Sequence, residues 1–183
     1  MLPQLTSIHS ELDTATVRAK AVAERAGDER WARRPAPNSW SVGECIDHLN
    51  RSSEPYFALF EEALKDAPRT SPTRLRRDFF GWLLCVTLEP PVRMKTRTTA
   101  RFVPTPEIGS RREVMDRFEA FQHRVREFVT RSDGVDVARL RIQSPFAERL
   151  GYSMYSALRI IPVHQRRHLW QAEKALDLLE SAR

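Results

Sequence analysis

Cysteine is nearly missing from this chain: Cys45 and Cys85 are the only two in 183 residues. They lie in different segments and form no CxxC, which excludes a cysteine-built zinc ribbon and a disulfide framework and leaves two reduced thiols. Long apolar runs are missing too. The longest, FFGWLLCVTL at Phe79 to Leu88, is interrupted by Gly81 and stops at Glu89 and Pro90, far short of the ~20 residues a bilayer span needs. No membrane is expected as a partner. The opening stretch MLPQLTSIHSELD has no basic region, apolar core or small-residue cleavage site, so a cytoplasmic location is expected. Lysine is rare, and the net charge of +6 rests on arginines interleaved with Asp and Glu on every segment. That pattern does not track a phosphate backbone, and nucleic acid is not an expected partner. The densest cluster, RLRRDF at Arg74 to Phe79 and on to Phe80, reads as a solvated loop or helix start.

What the chain does have is helical periodicity. With 41% hydrophobic and 30% charged residues, it has the composition of a globular protein, and its length suits one domain over residues 1–183. Leu5, Ile8, Leu12, Ala15, Ala19, Val22 and Ala26 recur at steps of three and four, one buried helical face that Gly27 is expected to end. Ser41 and Glu44 stand in the S-x-x-E spacing that satisfies two orphan donors at a helix start. A second helix is expected from there to Ala67, with Val42, Cys45, Ile46, Leu49, Tyr56, Leu59, Phe60 and Ala63 inward. Pro68, Pro72, Pro90, Pro91, Pro104 and Pro106 punctuate the next segment, which reads as a short helix over about 75–88 and an extended connection. Ser110 and Glu113 repeat the cap signal for a third long helix to Thr130, burying Val114, Phe118, Phe121, Val125, Phe128 and Val129. A polar connection precedes the last helix, Ser153 to Glu180, in which Pro162 marks either a kink or a restart. Without period-2 alternation or internal repeats, the expectation is an all-α four-helix bundle with a short additional helix and an extended connection between helices two and three.

The last helix carries HQRRHLWQ, His164 to Gln171. The stripe Ala157, Ile161, His164, His168, Ala172, Ala175, Leu179 puts both imidazoles on the inward face, one turn apart and about 40° around the axis. Two buried imidazoles with no acid between them lack partners for their nitrogens, and a metal ion resolves that. Two ligands hold an ion weakly, and His48, on an inward row of helix two, is the candidate third. His9 and His123 lie off the inward rows. Histidines alone also suit a hydrogen-bonded core. The spacing does exclude an H-E-x-x-H protease, since Gln165 stands where the general base would be.

N-S-W-S-V-G-E-C-I-D-H-L at Asn38 to Leu49, S-P-F-A-E-R-L-G-Y at Ser144 to Tyr152, and H-Q-R-R-H-L-W-Q at His164 to Gln171 resemble, in order, the signature pieces of the DinB-like family. The resemblance implies a four-helix bundle, a divalent metal on His48, His164 and His168, and a homodimer. It also implies kinship with thiol-dependent transferases and isomerases that use bacillithiol or mycothiol. Three neutral histidines around zinc or nickel leave a position for a reactant. The leading expectation is therefore a metal-dependent enzyme that activates a low-molecular-weight thiol (S-transferase type) or water (hydrolase type) toward a small-molecule substrate. The alternative is a non-catalytic metal- or small-ligand-binding stress-response protein. Cys45 is either a fourth ligand or a small buried thiol. Glu44 and Asp47 are candidate bases that read more simply as a cap partner and a solvated surface residue. Tyr56 and Arg167 either orient a substrate or serve core packing and surface solvation.

Overall fold

The computed structural model describes residues 1–91, 102–104, 107–147 and 149–182. Five helices follow in order: α1 Pro3–Trp31, α2 Val42–Lys65, α3 Phe79–Leu88, α4 Arg111–Arg131 and α5 Met154–Ser181. Between the last two, β1 Arg141–Gln143 and β2 Gly151–Ser153 pair antiparallel with Ile142 opposite Tyr152. The fold is the expected helical bundle, with α1, α2, α4 and α5 as its long members.

Both S-x-x-E signals act as full capping boxes. The Glu44 amide donates to Ser41 Oγ (3.2 Å) and the Ser41 amide to Glu44 Oε2 (2.8 Å); Ser110 and Glu113 repeat the exchange. Gly27 ends the first helical run of α1, as expected, and a second short run follows across a kink. At φ 57°, ψ −175° it leaves helical geometry, which a glycine tolerates at little cost, and helical residues resume as far as Trp31, whose ring is buried. The short helix starts at Phe79 and not at 75, because Asp78 caps it by accepting from the Gly81 amide. Pro162 lies inside one continuous helix, so the register that carries the two histidines is unbroken. Leu59, Ala63 and Phe121 are half-buried, while Phe57, outside the expected row, is buried.

The core divides into two apolar clusters. One gathers Leu5, Ile8 and Leu12, the end of α2, the end of α4 and the start of α5. The other gathers the second half of α1, the start of α2, the start of α4 and the later part of α5. α1 and α5 therefore run one way along the bundle, and α2 and α4 the other. Since α2 ends where the first cluster lies and α4 begins where the second does, residues 66–110 must return the length of the bundle. The Phe102 carbonyl lies against the second turn of α2, at His48.

A polar layer separates the clusters. On α4 and α5 it is a reciprocal amide pair: Gln165 Nε2 donates to Gln122 Oε1 (2.8 Å) and Gln122 Nε2 to Gln165 Oε1 (3.2 Å) and to the Leu12 carbonyl (3.1 Å). Both amides are buried. Gln165→Leu, which strands the Gln122 oxygen, is expected to destabilise by about 1–3 kcal/mol in urea unfolding. The double substitution Gln122→Leu/Gln165→Leu should recover part of that loss, a coupling that only a direct pair gives.

Candidate metal centre

The other half of the polar layer is a histidine cluster. The start of α2 fixes its first member. Glu44, locked into the capping box, also receives Arg34 Nε at 2.8 Å. Burial pushes its carboxyl up, but Arg34 and the Ser41 amide outweigh burial and hold it below the usual carboxylate value. With that turn fixed, His48 sits buried a turn further on, and Trp40, directly before the cap, lies against it with ring centroids 5.0 Å apart.

His48 Nδ1 lies 2.7 Å from the Phe102 carbonyl. A carbonyl only accepts, so Nδ1 carries the proton and Nε2 presents a bare lone pair. That lone pair points at His164 Nε2, 3.3 Å away. His168 closes the triangle, its ring centroid 4.4 Å from His48 and 4.6 Å from His164, with Trp40 stacked on it at 5.7 Å and 23°. One ligand atom from each of the three lies within 4.8 Å of the others. The rings that sequence spacing placed on facing helix rows are thus brought together.

The donor set suits a metal ion. A tetrahedral site with metal–nitrogen bonds of ~2.05 Å requires nitrogens about 3.3 Å apart, the separation of His48 Nε2 and His164 Nε2. His168 Nδ1 is buried and lacks a hydrogen-bond partner among the described residues, an orphan that costs stability unless it finds one. All three rings are held neutral. Desolvation by burial lowers each, most strongly His164 and His168, where the neighbouring imidazoles and the Arg167 guanidinium add to it, while the Phe102 carbonyl and Asp47 partly offset it at His48 and the Gln171 side chain at His168. Neutral imidazole is the form that binds metal. His164 is half-buried as a residue, and the Phe146 ring stands 6.3 Å from its imidazole.

The remaining candidates fall elsewhere. Cys45 is not in the cluster; it is fully buried in the second apolar cluster, and burial pushes its thiol pKa far up. Tyr56 is buried and its hydroxyl pairs with that of Tyr152 at 2.6 Å. Asp47 is not a solvated surface residue: it is buried, 2.5 Å from Arg51 Nε and 3.6 Å from Arg117 Nη1. Arg167 is buried as well, with Nη1 donating to the Thr87 carbonyl on α3 (3.3 Å). His9 Nε2 is 3.4 Å from Thr130 Oγ1 and His123 faces Glu127, both away from the cluster. Reasoning from sequence did not find the Phe102 carbonyl or assign Trp40 a place at the site. The aromatic residue next to the Ser41 cap was the one available signal for Trp40.

No curated protein and no solved structure matches this chain. The family model of the DinB superfamily matches residues 11–172, a span that includes all three histidines, the whole of α2 and α4 and most of α1 and α5, and the chain belongs to that superfamily.

Proposed function

We propose that His48, His164 and His168 bind a divalent cation, zinc or nickel, and that the protein is a thiol S-transferase acting on a small electrophile. The observation that carries this reading is the facing pair of ring nitrogens at 3.3 Å, one of them fixed as a bare lone pair by the Phe102 carbonyl. A divalent ion there supplies a Lewis acid that lowers the pKa of a thiol or a water. The chain's own groups favour the thiol. Hydrolysis profits from a base that takes a proton from water, yet Glu44 is tied to Arg34 and Ser41 and Asp47 to Arg51 and Arg117. A thiol, whose own pKa lies near 8.5, needs less help. Trp40 covers two of the rings and keeps water from them, and Phe102 and Phe146, 4.8 Å apart, offer apolar contact to a substrate's carbon skeleton.

The test begins with elemental analysis of protein purified without a histidine tag or nickel column. The expected result is about one zinc or nickel per chain in the wild type and little in His48→Ala. Loaded protein is then incubated with bacillithiol or mycothiol and a chloro-aromatic or epoxide. Thiol transfer above the His48→Ala background supports the reading. Metal without turnover of any thiol or ester leaves a non-catalytic binding module, and no metal at all removes the proposal.

A further inference from the structure

The expectation that no membrane is a partner rested on the lack of a spanning segment, and no helix among the described residues is long and apolar enough to cross one. Lying on a membrane is a different matter, and α3 has the make-up for it. Its inner face is small and buried. Gly81 and Cys85 pack toward α5, and a Cβ at Gly81 would collide with Ser156. Its outer face is large, apolar and open to solvent: Phe79 is 66% exposed, Val86 55% and Trp82 46%, with Phe80 and Leu83 beside them. An exposed apolar face of this kind marks an interaction surface more often than an ordinary exterior.

Charge decides what it meets. Arg74, Arg76 and Arg77 directly precede the helix and are exposed. Many arginines elsewhere are matched to carboxylates, as Arg126 is to Asp13, Arg131 to Glu61 and Arg159 to Glu11. None of the ion pairs among the described residues involves these three; Arg77 instead reaches the Cys85 thiol. The two acids that flank α3 are already committed. Asp78 accepts from the Gly81 and Ser153 amides and from Ser156 Oγ, and Glu89 pairs with Arg166 at 2.7 Å. A second copy of the chain docking face to face would thus bring a second set of arginines and no free acid to answer them. A surface of phosphates over hydrocarbon answers both halves of the patch.

We propose that the outer face of α3, with Arg74 and Arg76 beside it, docks on an anionic phospholipid surface. Ten residues make a helix about 15 Å long, suited to lying in the headgroup plane with its aromatic side chains inserted and its arginines on phosphate. The inference stands apart from the histidine cluster and does not depend on its metal.

Flotation of the full chain with phosphatidylglycerol-containing vesicles and with pure phosphatidylcholine vesicles tests it, together with tryptophan emission. The expected result is salt-sensitive flotation with the anionic vesicles only, and a blue shift in emission that Trp82→Phe removes. Arg74→Glu/Arg76→Glu and Phe79→Ser/Val86→Ser should each weaken partition at least tenfold, with the circular dichroism and thermal midpoint of the wild type, because all four side chains are exposed. Flotation with neither vesicle, or equally with both, overturns the proposal. So does a concentration-dependent dimer that Phe79→Ser/Val86→Ser abolishes while vesicles go unbound, a result that assigns the face to a second copy.

Discussion

Stripped of metal with EDTA, the His168→Leu variant is expected to be more stable than the wild type by about 1 kcal/mol, and saturating zinc is expected to reverse the order. In the wild type His168 Nδ1 is buried without a partner among the described residues, which costs about 1–3 kcal/mol. Leucine removes that orphan and fills most of the space. It also loses the stack on Trp40, worth about 0.5–1.5 kcal/mol, so the gain is small. Zinc at one hundred times its dissociation constant stabilises only the state that binds it, by about 2.7 kcal/mol. The variant, with two of three ligands and His48 Nε2 facing His164 Nε2 alone, gains little of this. Urea unfolding of both proteins in EDTA and in zinc measures the crossing. A variant less stable than the wild type by the same amount in both conditions would mean that the imidazole is a packing group and the metal reading is wrong.

This prediction depends on geometry that sequence periodicity reached only in part. The i, i+4 spacing put His164 and His168 on one face of α5, and the row through Cys45 put His48 on a facing one; backbone periodicity fixes such placements because α2 and α5 are long and unbroken. The Phe102 carbonyl that sets the His48 tautomer comes from a chain segment 54 residues away in sequence, and a backbone acceptor leaves no residue-type signature. Asp47 looked solvated because a carboxylate on a helix flank usually is. Its burial follows from the approach of Arg117 on α4, a fact about which helix is the neighbour. The hairpin was missed because three-residue strands are too short to display alternation. Gly27 was legible because a glycine at positive φ is the usual helix stop, and here it closes the first helical run before a last short one reaches Trp31.

The junction that holds α3 to the bundle should prove the most sensitive single position outside the cluster. Asp78→Ala is expected to cost about 3 kcal/mol or more. One carboxylate serves two helix starts: Oδ1 accepts from the Gly81 amide (3.0 Å) to cap α3, and Oδ2 accepts from the Ser153 amide (2.5 Å) and Ser156 Oγ (3.0 Å) at the start of α5. A lost cap alone costs ~1 kcal/mol, and each hydrogen bond to a charged group another ~1.5–3 kcal/mol. Without the carboxylate the Ser153 amide loses this acceptor, and Ser156 Oγ keeps Ser153 Oγ (3.0 Å), which already serves the Ser156 amide (3.1 Å). Against total stabilities of ~5–15 kcal/mol, the effect is large and readily measured by thermal unfolding. Acidity supplies an internal control. Burial pushes the Asp78 carboxyl up, but the Gly81 and Ser153 donors outweigh it and hold its pKa below the ordinary 3.8. A carboxylate with a depressed folded pKa contributes stability above its unfolded value and loses it as pH falls through the folded one. The gap between wild type and Asp78→Asn should therefore be full at neutral pH and close below pH 3.8. A gap that persists into acid would mean that the asparagine disturbs packing at Ser156 and that the charge is not what joins the two helix starts.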